Sequence, residues 1–347
     1  MPVRGVHRSL ICDLQNDNLH LIPNGLFEIL QKHNGQTISD VKVAYENKFD
    51  EQIDEYFEFL ISENLIFFNS DPSLFPPLDL RWESPSAINN IIIDFDKIQH
   101  ELSPIIDELE YLKCSNVQFR FFKKVSYERL GNILERISEK KSRITSIDFI
   151  IPFDNSISKN DLDLLLKSYP RIHSIILYNA PVDKNFKPIR KNMGYINMIK
   201  KNVINEKHCG IISSKYFYAN VKLFTESQQH NTCLNKKISI DKDGNIKNCP
   251  SMPKSFGNIT NTTLQKALDQ PSFKNYWSIS KDKIDTCKLC EFRHVCTDCR
   301  AYIEDPENIY SKPLKCGYDP HTNEWKDWSI NPLKEKAIKH YGLSDFI

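Results

Sequence analysis

From residue 8 to 22 the chain, RSLICDLQNDNLHLI, alternates apolar and polar positions around Asn16-Asp17-Asn18, and this predicts a β-hairpin turning on residues that tolerate left-handed backbone. The period then lengthens. LFEILQKHN carries Leu26, Ile29 and Leu30 on one stripe and predicts a helix capped by Asn24 and terminated at Gly35. ISDVKVAYENK is a second helical stretch, and in DEQIDEYFEFLISEN the residues Ile53, Tyr56, Phe57, Leu60 and Ile61 recur at the spacing of one helix face. LIFFN, directly after, predicts a closing strand. Hairpin, three helices and strand make a winged-helix pattern over residues 1 to 75.

A proline-rich linker, residues 76 to 88, precedes a change of rhythm. NIIIDFD near 90, VQFRFF near 117, ITSIDFII near 144 and IHSIILYN near 172 are short β-rich runs separated by helical stretches such as HELSPIIDELEYLK and SYERLGNILERISEKK. A strand about every 27 residues is the spacing of a βα unit, and GYINMIKK near 194 supplies a fifth strand. Residues 89 to 205 therefore predict a partial parallel β/α barrel, and the fold class is α/β. Chemistry in such a fold sits on the loops at the C-terminal ends of the strands. The first of these loops carries Asp94 and Asp96, which read either as paired carboxylates or as the start of a helix.

Composition adds few constraints at first. With 347 residues, 40% hydrophobic and 26% charged, the chain is an ordinary globular sequence. It starts without an apolar signal region and has no run approaching the roughly 18 apolar residues of a membrane span, so we expect a cytoplasmic protein with no membrane partner. Charge changes the picture more. Residues 1 to 80 hold 5 Lys/Arg against 13 Asp/Glu, and a surface of net −8 repels phosphates, which argues against nucleic acid as the partner of the winged helix. None of the ten glycines sits in a phosphate-cradling motif, so ATP is not an expected ligand.

The chemistry-bearing residues are the cysteines. Eight of ten lie at positions 209, 233, 249, 287, 290, 296, 299 and 316, enough for two tetrahedral zinc sites or two 4Fe-4S clusters. In a reducing compartment such clustering points to metal rather than disulfides. The paired spacing C-x2-C at Cys287/Cys290 and at Cys296/Cys299 lets one tight turn offer two thiolates. Between Cys233 and Cys249, ISIDKDGNI predicts a hairpin turning at Asp243-Gly244. Cys12 and Cys114 fall in strand or helix-end contexts and read as structural.

The arrangement C-x10-G-x4-C, then FGNI, then C-x2-C-x5-C-x2-C and a last cysteine resembles the SPASM domain of radical S-adenosylmethionine peptide-modifying enzymes, which holds auxiliary 4Fe-4S clusters. The resemblance implies a domain over residues 206 to 325, followed by a tail helix over 326 to 347. It assigns Cys233, Cys249 and Cys299 to a first cluster and Cys287, Cys290, Cys296 and Cys316 to a second. The family's further cysteine, about six positions before the one matching Cys233, is replaced here by Ser227; Cys209, His230 or an open iron site is left as the fourth ligand, with Cys209 favoured. The family's usual x3 spacing is x2 between Cys296 and Cys299.

The cofactor motif CxxxCxxC, which such enzymes carry after the first barrel strand, is missing: IIIDFDKIQHELS stands there. The resemblance therefore implies no S-adenosylmethionine and leaves enzymatic activity open. The N-terminal element order resembles the peptide-recognition element of ribosomally made peptide pathways, which binds a leader peptide by β-augmentation. Together these features are similar to the SPASM-domain peptide maturase of grasp-with-spasm systems, whose implied partners are a precursor leader peptide and an ATP-grasp ligase. Redox or Lewis-acid chemistry on the precursor at an auxiliary cluster, and a zinc-stabilised scaffold, are the alternative readings.

Overall fold

The computed structural model describes every residue except Ile189, Lys191, Asn192 and Ile347. The chain forms two compact units that do not follow chain order. One comprises Met1–Trp82, Ile212–Thr232 and Ile279–Gly342; the other comprises Glu83–Ile211, Cys233–Ser278 and the residues from Leu343 on.

The first unit begins with three antiparallel strands, β1 (Pro2–Arg4), β2 (Arg8–Asp13) and β3 (Asn18–Pro23), in the order β1-β2-β3. The predicted hairpin is β2–β3. Its turn is set by Asp17 at φ +56° and by the Asp13 carboxylate, which accepts from the backbone N–H of Gln15 and Asn16. Helices α1 (Asn24–Lys32), α2 (Ile38–Ala44) and α3 (Asp50–Ser62) follow. A capping box between Thr37 and Asp40 starts α2.

Two local expectations are corrected. Asn24 does not cap α1: it lies inside the helix, its amide donates to the Val6 carbonyl at 3.0 Å, and its oxygen accepts from Ser9 at 2.6 Å, so it ties helix to sheet. LIFFN is not a strand either. After Asn64, at φ +55°, Leu65 and Ile66 both pack inward, whereas Phe67 and Phe68 are 65% and 68% exposed, and two consecutive inward residues break the alternation a strand requires. The third strand comes instead from the very start of the chain, where β1 takes the free edge of β2.

The sheet is buried on both faces. Ile11 and Ile22 pack on Leu26 of α1 and Leu60 of α3. Val3, Leu10 and Cys12, on the opposite face, share a core with Ile212, Ala219, Phe224, Phe292, Val295, Cys296, Cys316 and Tyr318. This explains why β2 shows four buried residues in a row where the sequence pattern promised alternation. Polar ties reinforce the joint: Arg8 Nε donates to Glu291 at 2.7 Å, Arg8 Nη2 to the Tyr318 hydroxyl at 3.1 Å, and Asp17 accepts from the Ala219 N–H.

The second unit is built on an eight-stranded, mostly parallel sheet. Its strands are β4 (Asn90–Phe95), β5 (Asn116–Phe121), β6 (Ser146–Pro152), β7 (Ile172–Tyr178), β8 (Lys184–Phe186), β9 (Tyr195–Met198), β10 (Lys237–Ile240) and β11 (Ile246–Lys247). Helices α4 (Leu102–Tyr111), α5 (Tyr127–Glu139) and α6 (Lys159–Ser168) connect the first four. The spatial order is β11-β10-β4-β5-β6-β7-β9-β8, with antiparallel pairing only at the two ends. All five strands read from the β-rich runs are present. Unforeseen was β10, which joins parallel to β4 with Ile238 opposite Ile91 and carries the cysteine-bracketed hairpin onto the sheet. Stacked Phe119 and Phe149, 5.4 Å apart, lie in the core between sheet and helices.

Leu10 is fully buried, so Leu10→Ala should cost about 2–5 kcal/mol, read as a lowered unfolding midpoint. Deleting residues 1 to 75 should leave the cysteine-bearing part of the first unit aggregation-prone, because it removes Val3, Leu10 and Cys12 from a shared core and uncovers the residues they pack on. A soluble, cooperatively unfolding truncated chain would contradict this.

Candidate metal centre

The hairpin between Cys233 and Cys249 turns where the sequence placed it. Gly244 adopts φ +83°, and a Cβ there would lie 3.1 Å from the Asn258 side chain, so both conformation and space favour glycine. The Asp241 carboxylate accepts from the N–H of Asp243 and Asn245 and pairs with Lys247 at 2.8 Å, which locks the turn. Cys249 is buried at the end of this hairpin. Its thiol pKa is pushed up by burial first, and then by the nearby sulfurs of Cys209 and Cys233.

Cys209 and Cys233 lie in the same unit as Cys249, near enough to act on its thiol. Cys209 is exposed, after a 3-10 turn over Glu206–His208 whose Glu206 carbonyl accepts from Ser251 at 3.0 Å. Lys237, on β10, places its ammonium 3.4 Å from Cys233 Sγ. Asp94 and Arg120, on β4 and β5, form a buried bidentate pair at 2.6 and 2.7 Å. Burial works against the Arg120 charge, but the Asp94 carboxylate more than offsets it, and the sulfurs of Cys209 and Cys249 add to the effect. Asp94 is therefore an ion-pair partner, not half of a carboxylate dyad with Asp96. Cys299 belongs to the first unit and is buried there.

The first unit holds the other set. Cys287, Cys290, Cys296 and Cys316 line one cavity together with Lys281. Cys287 opens and Cys290 follows a 3-10 turn, Cys287–Leu289, closed by the Cys290 N–H to the Cys287 carbonyl at 3.0 Å. Cys316 is fixed from outside: Lys334 Nζ donates to its carbonyl at 2.6 Å and to that of Leu314 at 2.9 Å, and Ile212 bridges to it in parallel. Burial pushes the Cys287 thiol to about 11 and the Cys296 thiol to about 12, while Lys281 acts in the opposite direction on both. Thiols raised in this way stay protonated near neutral pH unless a metal takes the proton's place.

The other candidates are accounted for. Ser227, standing where a further cysteine was sought, is buried and donates to the Phe224 carbonyl at 2.7 Å, with His294 Nδ1 at 3.0 Å. The His230 ring lies edge-on to Trp82 at 5.3 Å in the first unit. Cys12 is in the shared core, and Cys114 donates to the Asn116 carbonyl at 3.4 Å; burial pushes both thiols to about 12. Among the described residues, no group of three or more His, Cys, Asp or Glu side chains converges as it would on a single metal ion. Four cysteines lining one cavity are the donor set of a 4Fe-4S cluster, whose corner irons each take one thiolate. Bound there, an iron-sulfur cluster would supply one-electron transfer; the four thiolates would hold it and Lys281 would face it.

Residues 232–291 match the model of SPASM, an iron-sulfur cluster-binding domain. The match contains Cys233, Cys249, Cys287 and Cys290 and stops before Cys296, Cys299 and Cys316. No curated protein matches the chain. No helix among the described residues is long and apolar enough to cross a membrane. Sequence reading missed Lys237, Lys281, Arg120 and Asp298, because a lone Lys or Asp carries no spacing signal; only its position beside a sulfur gives it meaning.

After anaerobic purification, Cys287→Ser and Cys249→Ser should each lower iron and acid-labile sulfide per chain by about half if each removes one of two clusters. Unchanged iron in either variant would remove that residue from the ligand set.

Proposed function

We propose that this chain is a maturation protein for a ribosomally made peptide. Its N-terminal module, of the winged-helix peptide-recognition type, captures the leader, and the remainder presents the core peptide to an ATP-grasp ligase, as in grasp-with-spasm systems. Two 4Fe-4S clusters are bound, one with Cys209, Cys233 and Cys249 among its ligands and one held by Cys287, Cys290, Cys296 and Cys316. The cytoplasm, where thiols stay reduced, is the compartment in which it works.

The observation that carries the reading is the outer edge of β3. It ends its sheet, with no further strand paired to it among the described residues. It runs beside α3, where the His20 ring lies 6.2 Å from Phe59 and its Nδ1 3.6 Å from Glu63. Leu21, on the other side of the strand, is exposed. An extended peptide adding to this edge would gain backbone hydrogen bonds along β3 and side-chain contacts alternately with Leu21 and with the α3 face. The acidic balance of residues 1 to 80 supports a peptide rather than a nucleic acid as the ligand. The absence of CxxxCxxC supports a presenting role rather than radical chemistry.

The exposure of Cys209 supports a second reading. An iron left open there would bind the precursor directly, and the protein would be a redox or Lewis-acid enzyme. Loss of the first cluster's spectrum in Cys209→Ser would count against it, since a closed ligand set leaves no iron free. Zinc in place of iron and sulfide would instead make the chain a scaffold.

The module shares its core with the rest of the first unit, so point variants test leader capture better than deletion. Titrating the precursor's leader peptide into the full chain by calorimetry should give binding that Leu21→Glu weakens at least about tenfold, roughly 1.4 kcal/mol. Undiminished binding would refute capture at this edge.

A further inference from the structure

We infer that Lys281 is a positioning residue for the cluster at Cys287, Cys290, Cys296 and Cys316, holding the Cys287 thiolate by an N–H···S bond and raising the cluster's reduction potential. This rests on the iron-sulfur reading of the cysteine-rich segment.

A buried lysine ammonium needs a compensating charge. Lys281 is 3% exposed, at the start of a 3-10 turn over Lys281–Lys283, and faces the cavity lined by the four cysteines. Its Nζ lies 3.9 Å from Cys287 Sγ and 3.2 Å from Asp298 Oδ1. Asp298, however, is already engaged. It accepts a hydrogen bond from Arg300 Nη2 at 2.9 Å, has Arg300 Nε 2.6 Å from its other oxygen, and accepts a bond from the Asn231 amide. Two buried cations therefore share one buried carboxylate, and the surplus positive charge sits at the cavity wall beside Cys287.

The other charged groups near the cavity are committed elsewhere. Arg293 is held by Asp282 at 2.8 Å and by the Cys290 carbonyl at 3.0 Å. Glu291 is paired with Arg8 and the Tyr318 hydroxyl. Four thiolates around an iron-sulfur core would bring the negative charge that Lys281 lacks. Each added electron makes that core more negative, so a fixed cation bonded to a ligand sulfur favours the reduced state and raises the potential. Asp298 acts one step further out, by keeping the ammonium aimed at the sulfur.

The test uses the full chain purified anaerobically, with iron and sulfide counted per chain and an EPR-monitored redox titration. Wild type lacking iron and sulfide would sink the cluster reading itself, before any variant is compared. In Lys281→Met, which removes the charge and keeps much of the volume, one cluster should titrate at a lower potential, or be lost faster to a chelator, while the other is unmoved. Lys281→Arg should return both properties toward wild type. A Lys281→Met protein with full iron and an unshifted potential overturns the inference. Where Lys281→Met loses the cluster, retention in Lys281→Arg supports it, and equal loss in both overturns it, because packing rather than charge would then be the cause.

Discussion

Cysteine sulfurs buried around one space can lose their protons only where a cation compensates the thiolate charge, and much of the first unit is arranged around that constraint. Cys287, Cys290, Cys296 and Cys316 come from three separate stretches of turn and loop. Regular secondary structure near them is scarce, so the loops are held by side chains: Lys334 on the carbonyls of Leu314 and Cys316, Arg293 on that of Cys290, Arg300 on those of Ile309 and Ser311. Loops braced in this way keep their sulfurs in place only while each brace remains satisfied.

The N-terminal sheet is part of that brace. Its rear face supplies Val3, Leu10 and Cys12 to the same core that contains Cys296 and Cys316. A peptide added to β3 would therefore act on a strand two positions in the sheet away from β1, whose residues touch the cysteine-bearing core. The N-terminal sheet and the cavity lined by the four cysteines belong to one compact unit. Linkage makes the consequence reciprocal: whatever stabilises one side of a shared core stabilises the other.

The second unit shows how a parallel sheet can be reused. β4 and β5 carry, near their C-terminal ends, Asp94 and Arg120, which pair with one another. Parallel pairing of β10 with β4 then delivers Cys233 and Cys249 to the edge of the sheet. The charge that remains close to those sulfurs is Lys237, as Lys281 is for the other set.

Much of this was legible in the sequence because it rests on local rules. Five of the six parallel strands were visible as β-rich runs, β4 most plainly, since a strand buried on both faces reads as a continuous apolar segment whatever surrounds it. Asp243-Gly244 announced its turn because only a residue without Cβ fits φ +83° there. The cysteine spacings pointed to metal, and the match to an iron-sulfur domain over residues 232–291 agrees. Local rules failed where one segment's conformation was decided by another distant in the chain. β1 is too short to signal itself and exists because β2 offers an edge; LIFFN looks like a strand and lacks one. Asn24 has a capping residue's chemistry, but Val6 and Ser9 claim it. Spacing could nominate sulfurs for a metal, whereas the charges near them, Lys281 with Asp298 and Arg300, could be placed only by tertiary structure, because an ion pair between distant residues leaves no period in the chain.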